Sequence, residues 1–163
     1  MYTISTMPVC VMMHPDAFDD ALIHKESVMP FYQLDELEKK KSSVNSKIES
    51  GAVPGEFMKF GIVTKPEGEG PPLHEHPNEE QFSVVLSGQM HFVLGDEDRV
   101  VGPGTLIHIP RNTRHRSRPV NGPATFITVK SPCGNGELAQ DYNLRPEARE
   151  IEALYPGTRR EGS

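Results

Sequence analysis

Between residues 51 and 130 short apolar runs alternate with clusters of turn-forming residues. Residues 57–63, 81–86, 89–94, 99–101, 105–109 and 125–129 are strand-length and rich in Val, Ile, Phe and Thr, whose branched or aromatic side chains suit a pleated surface. Each run ends in turn chemistry. Ser87-Gly88 and Gly95-Asp96-Glu97-Asp98 read as hairpin turns, Gly102-Pro103-Gly104 breaks the next pair, and Pro110-Arg111-Asn112 closes the strand after it. Short strands at this spacing predict an all-β domain, a sandwich or a closed barrel.

The flanks have a different texture. Residues 2–5 and 9–11 alternate weakly like an edge strand, Asp16 can cap a short helix over 17–24, and residues 35–41 carry helix formers for one or two turns. Lys39-Lys40-Lys41-Ser42-Ser43 has the composition of a solvated linker. Downstream, Pro146 suits the first turn of a helix reaching about Leu154, with a polar tail after it. The expected organisation is an N-terminal arm and linker (1–50), a β-barrel core (51–130) and a C-terminal segment with a short helix (131–163).

Composition narrows the class. Leu, Ile, Val and Phe number 38 of 163 residues, enough for one modest core and little more. Gly at 14 and Pro at 15 exceed the roughly 12% of ordinary usage and favour tight turns over long helices. The net charge of −6 and the absence of a long basic run argue against a nucleic-acid partner. Cys10 and Cys133 lie far apart and show neither metal nor redox spacing. No run of eighteen apolar residues occurs, and the first thirteen residues lack a basic leading segment and a cleavage site. The expectation is a soluble cytoplasmic protein with a small-molecule partner and no membrane association.

Histidine position supplies the chemistry. Five of the seven histidines fall between positions 74 and 115, and two form His74-Glu75-His76. On a strand, residues i and i+2 face the same way, so this pair can direct two imidazoles into one cavity, half of a metal site. Gly68 precedes His74 by five intervening residues, and Gly88 follows the acidic stretch Asn78-Glu79-Glu80-Gln81. Gly104 is followed after five residues by Pro110-Arg111-Asn112 and then, two residues on, by His115.

These two segments resemble the paired motifs of the cupin family: Gly, five residues, His-X-His, three or four residues, Glu, six residues, Gly; then Gly, five residues, Pro-X-Gly, two residues, His, three residues, Asn. The resemblance covers about half the chain. It implies a double-stranded β-helix, the jelly-roll cupin barrel, around a divalent metal such as Fe, Mn, Zn or Ni. Asn112 stands in place of the motif glycine, and Asn tolerates the left-handed backbone such a turn needs. Pro119 replaces the trailing Asn. His74, His76 and His115 are the implied histidine ligands.

The fourth ligand is open between two neighbours. Counting six residues back from Gly88 reaches Gln81, and some cupins carry Gln there; the shorter spacing from His76 reaches Glu80, which shares strand parity with the apolar Phe82, Val84 and Leu86. Gln81 is the favoured choice. Three neutral imidazoles and a neutral amide leave a divalent ion its full charge, suiting Lewis-acid isomerase, cyclase or lyase chemistry; Glu80 would give the His and carboxylate set of non-haem iron dioxygenases. A non-catalytic small-molecule binder or sensor is the reading from a different class. His108 and Glu80 are the catalytic candidates, Arg111 and Arg114 the candidates for gripping a substrate carboxylate. His14, His24 and His91 stand outside the set. A homodimer, with residues 2–11 as an exchanged strand, completes the expectation.

Overall fold

The protein is described here by a computed structural model covering residues 30–154. Within them the order is β1 (Lys40–Lys41), β2 (Glu49–Pro54), β3 (Lys59–Lys65), β4 (His74–Glu75), β5 (Glu80–Leu94), β6 (Glu97–Val101), β7 (Leu106–Ile109), β8 (His115–Ser131), β9 (Asn143–Leu144) and α1 (Ala148–Leu154). The expected strand over 2–11, the helix over 17–24 and the tail over 156–163 lie outside the described residues.

Two long strands carry the architecture. β5 and β8 run antiparallel along their whole length, from the pair Glu80 and Ser131 to the pair Leu94 and His115. The first half of β5 takes β7 on its other edge, and the second half of β8 takes β3, followed by β2 and β1. Beyond a bend, β5 takes β6, while β8 takes β4 and then β9. The sheet is therefore one curled antiparallel surface with two leaves, the all-β jelly roll expected, and α1 follows Pro146 as the last element among the described residues.

The bend has a local cause. The register between β5 and β8 shifts between Val85 and Ser87 and again between Ser87 and Gln89, and such bulges re-aim a strand and increase its twist. Gly88 has φ 75°, and a Cβ there would sit 2.3 Å from the carbonyl oxygen of Pro123, so only glycine fits. Across from it Asn121 and Gly122 also take positive φ. The bulge switches the inward parity of β5: Gln81, Ser83 and Val85 are buried before it, Met90 and Phe92 after it. The apolar core lies between the leaves, with Ile48, Val85, Met90, Ile107, Ile109 and Phe126 among its members.

Several sequence expectations change. Ser87-Gly88 is not a hairpin turn; the runs 81–86 and 89–94 are one bent strand. Residues 35–41 form no helix: a turn at 34–36 is followed by β1, whose Lys40 pairs with Ser50, so sheet pairing overrides local helix propensity. The lysines expected in a linker thus begin the sheet. β2 escaped detection because ESGAVP has one β-branched residue and ends in Pro. The run 125–129 is the end of a seventeen-residue strand whose polar first half conceals it.

Candidate metal centre

His74 and His115 are directly opposed across β4 and β8, which sets their side chains on one face. His76 follows two residues after His74 and shares its direction. All three are buried, at 5%, 3% and 4% exposure, and their ring nitrogens lie within 4.8 Å of one another. Each ring is held the same way. Nδ1–H of His74 donates to the Pro72 carbonyl at 2.8 Å, that of His76 to the Asp141 carbonyl at 2.7 Å, and that of His115 to the Thr113 carbonyl at 2.9 Å. A backbone acceptor at Nδ1 fixes the tautomer and presents the Nε2 lone pair to the cavity; on His76 that lone pair accepts from Lys130 Nζ, a contact that a metal ion would displace.

Burial keeps these imidazoles neutral. It pushes His115 down to about 3, with His76 adding to the effect. His74 is lowered far below the usual histidine range by burial and then by His115 and His76. His76 is lowered by burial and by the ammonium of Lys130. Neutral, uniformly oriented Nε2 donors are the form in which histidine binds a divalent metal. The residues present therefore fit a metal ion.

Gln81 joins the triad from the other leaf. It is buried and lines the same cavity of about 110 Å³ as the three histidines. Its Nε2 donates to Ser83 Oγ at 3.0 Å, and that hydroxyl donates to Thr128 Oγ1 at 3.3 Å. The amide oxygen has no hydrogen-bond partner among the described residues, so the end of Gln81 able to ligate is the end left free.

A cationic layer lies against this site. Lys130 Nζ donates to His76 Nε2 at 3.1 Å, to Glu79 Oε2 at 3.1 Å and to the Leu138 carbonyl at 2.7 Å. Glu79 is 1% exposed, pairs also with the fully buried Lys59, and accepts from Gln140 Nε2 at 2.6 Å. Asp141 receives the backbone N–H groups of Asn78 and Glu79 at 2.6 and 3.0 Å, fixing the loop that carries His76 into Glu79. A third buried lysine, Lys65, lines the cavity and donates to Ser117 Oγ at 2.8 Å.

Comparison with known proteins agrees with this geometry. Residues 61–130 match the Cupin_2 family, a cupin domain. These residues form a cupin domain. Among solved structures, the polyketide cyclase RemF from Streptomyces resistomycificus superposes with TM-score 0.60 at 20% identity, covering 80% of this chain and 96% of that one. KdgF from Halomonas sp. gives 0.58 at 22% identity, over 63% and 94%. A sugar phosphate isomerase of the cupin superfamily from Silicibacter pomeroyi gives 0.57 at 20% identity, over 63% and 75%. At these identities the likeness is one of fold. No curated protein matches the chain.

The cupin cavity does not gather every residue singled out from sequence. Glu80 and His108 meet each other at 2.7 Å on the outer face, each about half exposed, with His108 stacked on Phe82. Neither lines the cavity. Arg111 donates to the Pro77 carbonyl at 2.9 Å, and Arg114 pairs with Asp96 at 2.6 Å. Arg116 and Arg118 hold Glu152 of α1 at 2.6 and 2.5 Å, so this part of the arginine cluster docks the C-terminal helix. None of the four lines the cavity.

Sequence reasoning missed Lys65, Lys130 and the Lys59–Glu79 pair. On β3 the apolar parity is Phe60 and Ile62, yet Lys59, Gly61, Val63 and Lys65 are the buried set. The available signal was a pair of lysines sharing parity with Val63, a pattern that a solvent-facing strand would also produce. Glu79 reaches His76 through Lys130, whose ammonium bonds both side chains.

Proposed function

We propose that this cupin is a metal-dependent enzyme acting on a small anionic organic molecule by isomerase, cyclase or lyase chemistry, with His74, His76, Gln81 and His115 holding a divalent ion (Fe, Mn, Zn or Ni). The observation that carries the reading is the shared arrangement of three buried histidines, each with Nδ1 on a backbone carbonyl, around a cavity that also receives Gln81. A divalent ion in this neutral donor set supplies Lewis acidity to a carbonyl, carboxylate or enediol oxygen. The chain's own residues do the rest. Ser83 and Thr128 orient the amide of Gln81, and Val63, Phe92 and Phe126 give the cavity an apolar wall that limits water. Tyr142, packed 4.6 Å from the His74 ring, and the two lysines are the cavity's proton carriers besides the histidines. The Glu80–His108 pair faces away from the cavity, so acid–base work in this reading falls to the lining residues. Names among the structural neighbours, a cyclase and an isomerase, support the same reaction class.

Elemental analysis of protein purified without an affinity tag tests the site. Wild type carries a divalent metal; His74→Ala/His115→Ala carries none and keeps its far-UV circular dichroism. Full occupancy in the double variant overturns the ligand assignment. Oxygen uptake by the iron-loaded protein with candidate substrates would move the reaction to the dioxygenase class, and ligand binding without turnover would make the protein a binder.

A further inference from the structure

We propose that Lys65 and Ser117 form a carboxylate-binding subsite in the cavity, so that the substrate is a short carboxylate whose other end presents an oxygen to the metal centre. The second half of this statement rests on the metal-dependent reading above; the subsite itself does not.

Lys65 ends β3 and is 4% exposed. Its Nζ donates to Ser117 Oγ at 2.8 Å and to the Ser117 carbonyl at 3.3 Å, and the ammonium lies 5.0 Å from the centre of the Phe126 ring. The other two buried lysines share the Glu79 carboxylate. Among the described residues no carboxylate pairs with Lys65. A buried ammonium lacking a counter-ion is costly, and here the ammonium borders a cavity open to a small molecule. Burial, with Arg118, Arg116 and Lys130 nearby, lowers Lys65 to about 7, so an arriving anion would restore its full charge.

Charge and donor count select the class of anion. One unbalanced ammonium matches one negative charge. Ser117 Oγ accepts from Lys65 and keeps its own hydrogen to donate, so two donors meet the two oxygens of a carboxylate; a phosphate dianion would leave a charge uncompensated. Ser117 and His115 are two residues apart on β8, on one face, about 7 Å between Cα atoms. A molecule of three or four carbons spans that distance. The nearby arginines are held by Glu152, Asp96 and the Pro77 carbonyl, which leaves this role to the lysine.

Calorimetric titration of 3-hydroxypropanoate and of its neutral amide into the full-length protein, metal-loaded and chelator-treated, tests the subsite. Wild type should prefer the carboxylate at least tenfold in both states, and inorganic phosphate should bind at least tenfold more weakly than the carboxylate. Lys65→Met should erase the preference while circular dichroism stays unchanged; Lys65→Arg should retain part of it. No preference in wild type, a preference intact in Lys65→Met, or phosphate binding as tightly as the carboxylate overturns the proposal. In wild type, the ¹³Cε titration of Lys65 gives a readout independent of any variant: the carboxylate should move its midpoint upward, and a fixed midpoint refutes the contact. The two readings separate cleanly. A Lys65-dependent preference in a protein that takes up no metal leaves the subsite and removes the metal, whereas normal metal content with an indifferent Lys65→Met does the reverse.

Discussion

Replacing Glu79 by Gln removes the one carboxylate shared by two buried lysines. Lys130 Nζ sits 3.1 Å from Glu79 Oε2, Lys59 pairs with Oε1, and all three side chains are at most 5% exposed. At an effective dielectric constant of 20, unit charges 3.1 Å apart attract by about 5 kcal/mol, and two such contacts exist. Part of that attraction offsets the desolvation of three ions. The measured loss should therefore resemble that for breaking a buried pair, about 3–5 kcal/mol. Gln keeps the shape and one acceptor oxygen, yet its amide N–H groups would face an ammonium. Urea unfolding at pH 7 reads the loss as a lower midpoint at unchanged slope. Adding Lys59→Met to Glu79→Gln removes one stranded ammonium and should restore part of the stability. A loss below about 1 kcal/mol, in the range of an exposed pair, or a double variant no better than the single one, would refute the buried-network reasoning.

Three further outcomes follow from the same structure. In metal-free protein His115 titrates near 3 when folded and near 6.5 when unfolded. The unfolded state binds the extra proton between those values, so stability should fall with pH across that window by up to about 1.4 kcal/mol per pH unit for each such histidine; a flat urea midpoint from pH 6.5 to 4 would contradict it. Lys65 is lowered to about 7 from 10.5, so wild-type stability should gain from this group as pH rises from 7 toward 10.5, and Lys65→Met should lack that gain in a matched denaturation series. Gly88→Ala combines positive φ with a 2.3 Å approach to the Pro123 carbonyl and should cost about 2 kcal/mol or more, read as a lower melting temperature; an unchanged value would mean the bend is not constrained there.

The buried histidine cluster was legible because strand parity is a strong rule. His74 and His76 share a face by spacing alone, and the second motif supplied His115, which the fold then sets opposite His74. An all-β domain followed from short strands and turn chemistry, and the jelly roll from the resemblance of the two motifs. What escaped was information that the side-chain pattern does not carry. The apolar parity of Phe82, Val84 and Leu86 pointed Glu80 inward, whereas Phe82 and Leu86 are about 40% exposed and the polar Gln81 and Ser83 face in, because this part of the interior is a cavity rather than a dry core. Ser87-Gly88 resembled a hairpin because a bulge and a turn both recruit glycine. Nothing in the sequence marks Lys65 and Lys130 as buried, and only the fold shows them inside. The carbonyls that orient the histidines belong to Pro72, Thr113 and Asp141, and a backbone acceptor has no residue signature at all.

The bend at Gly88 also sets how the site is assembled. His74 and His115 belong to the leaf built on β4 and the start of β8, while Gln81 stands on the leaf built on β7 and the start of β5. The bulge lets each leaf keep its own register, so an insertion on one side of it leaves the parity of the other untouched. In the proposed site the donor set would therefore draw on both leaves, His74 and His115 from one and the amide of Gln81 from the other. Substitutions at the bend would accordingly alter the spacing between the histidines and the amide without changing a residue that lines the cavity.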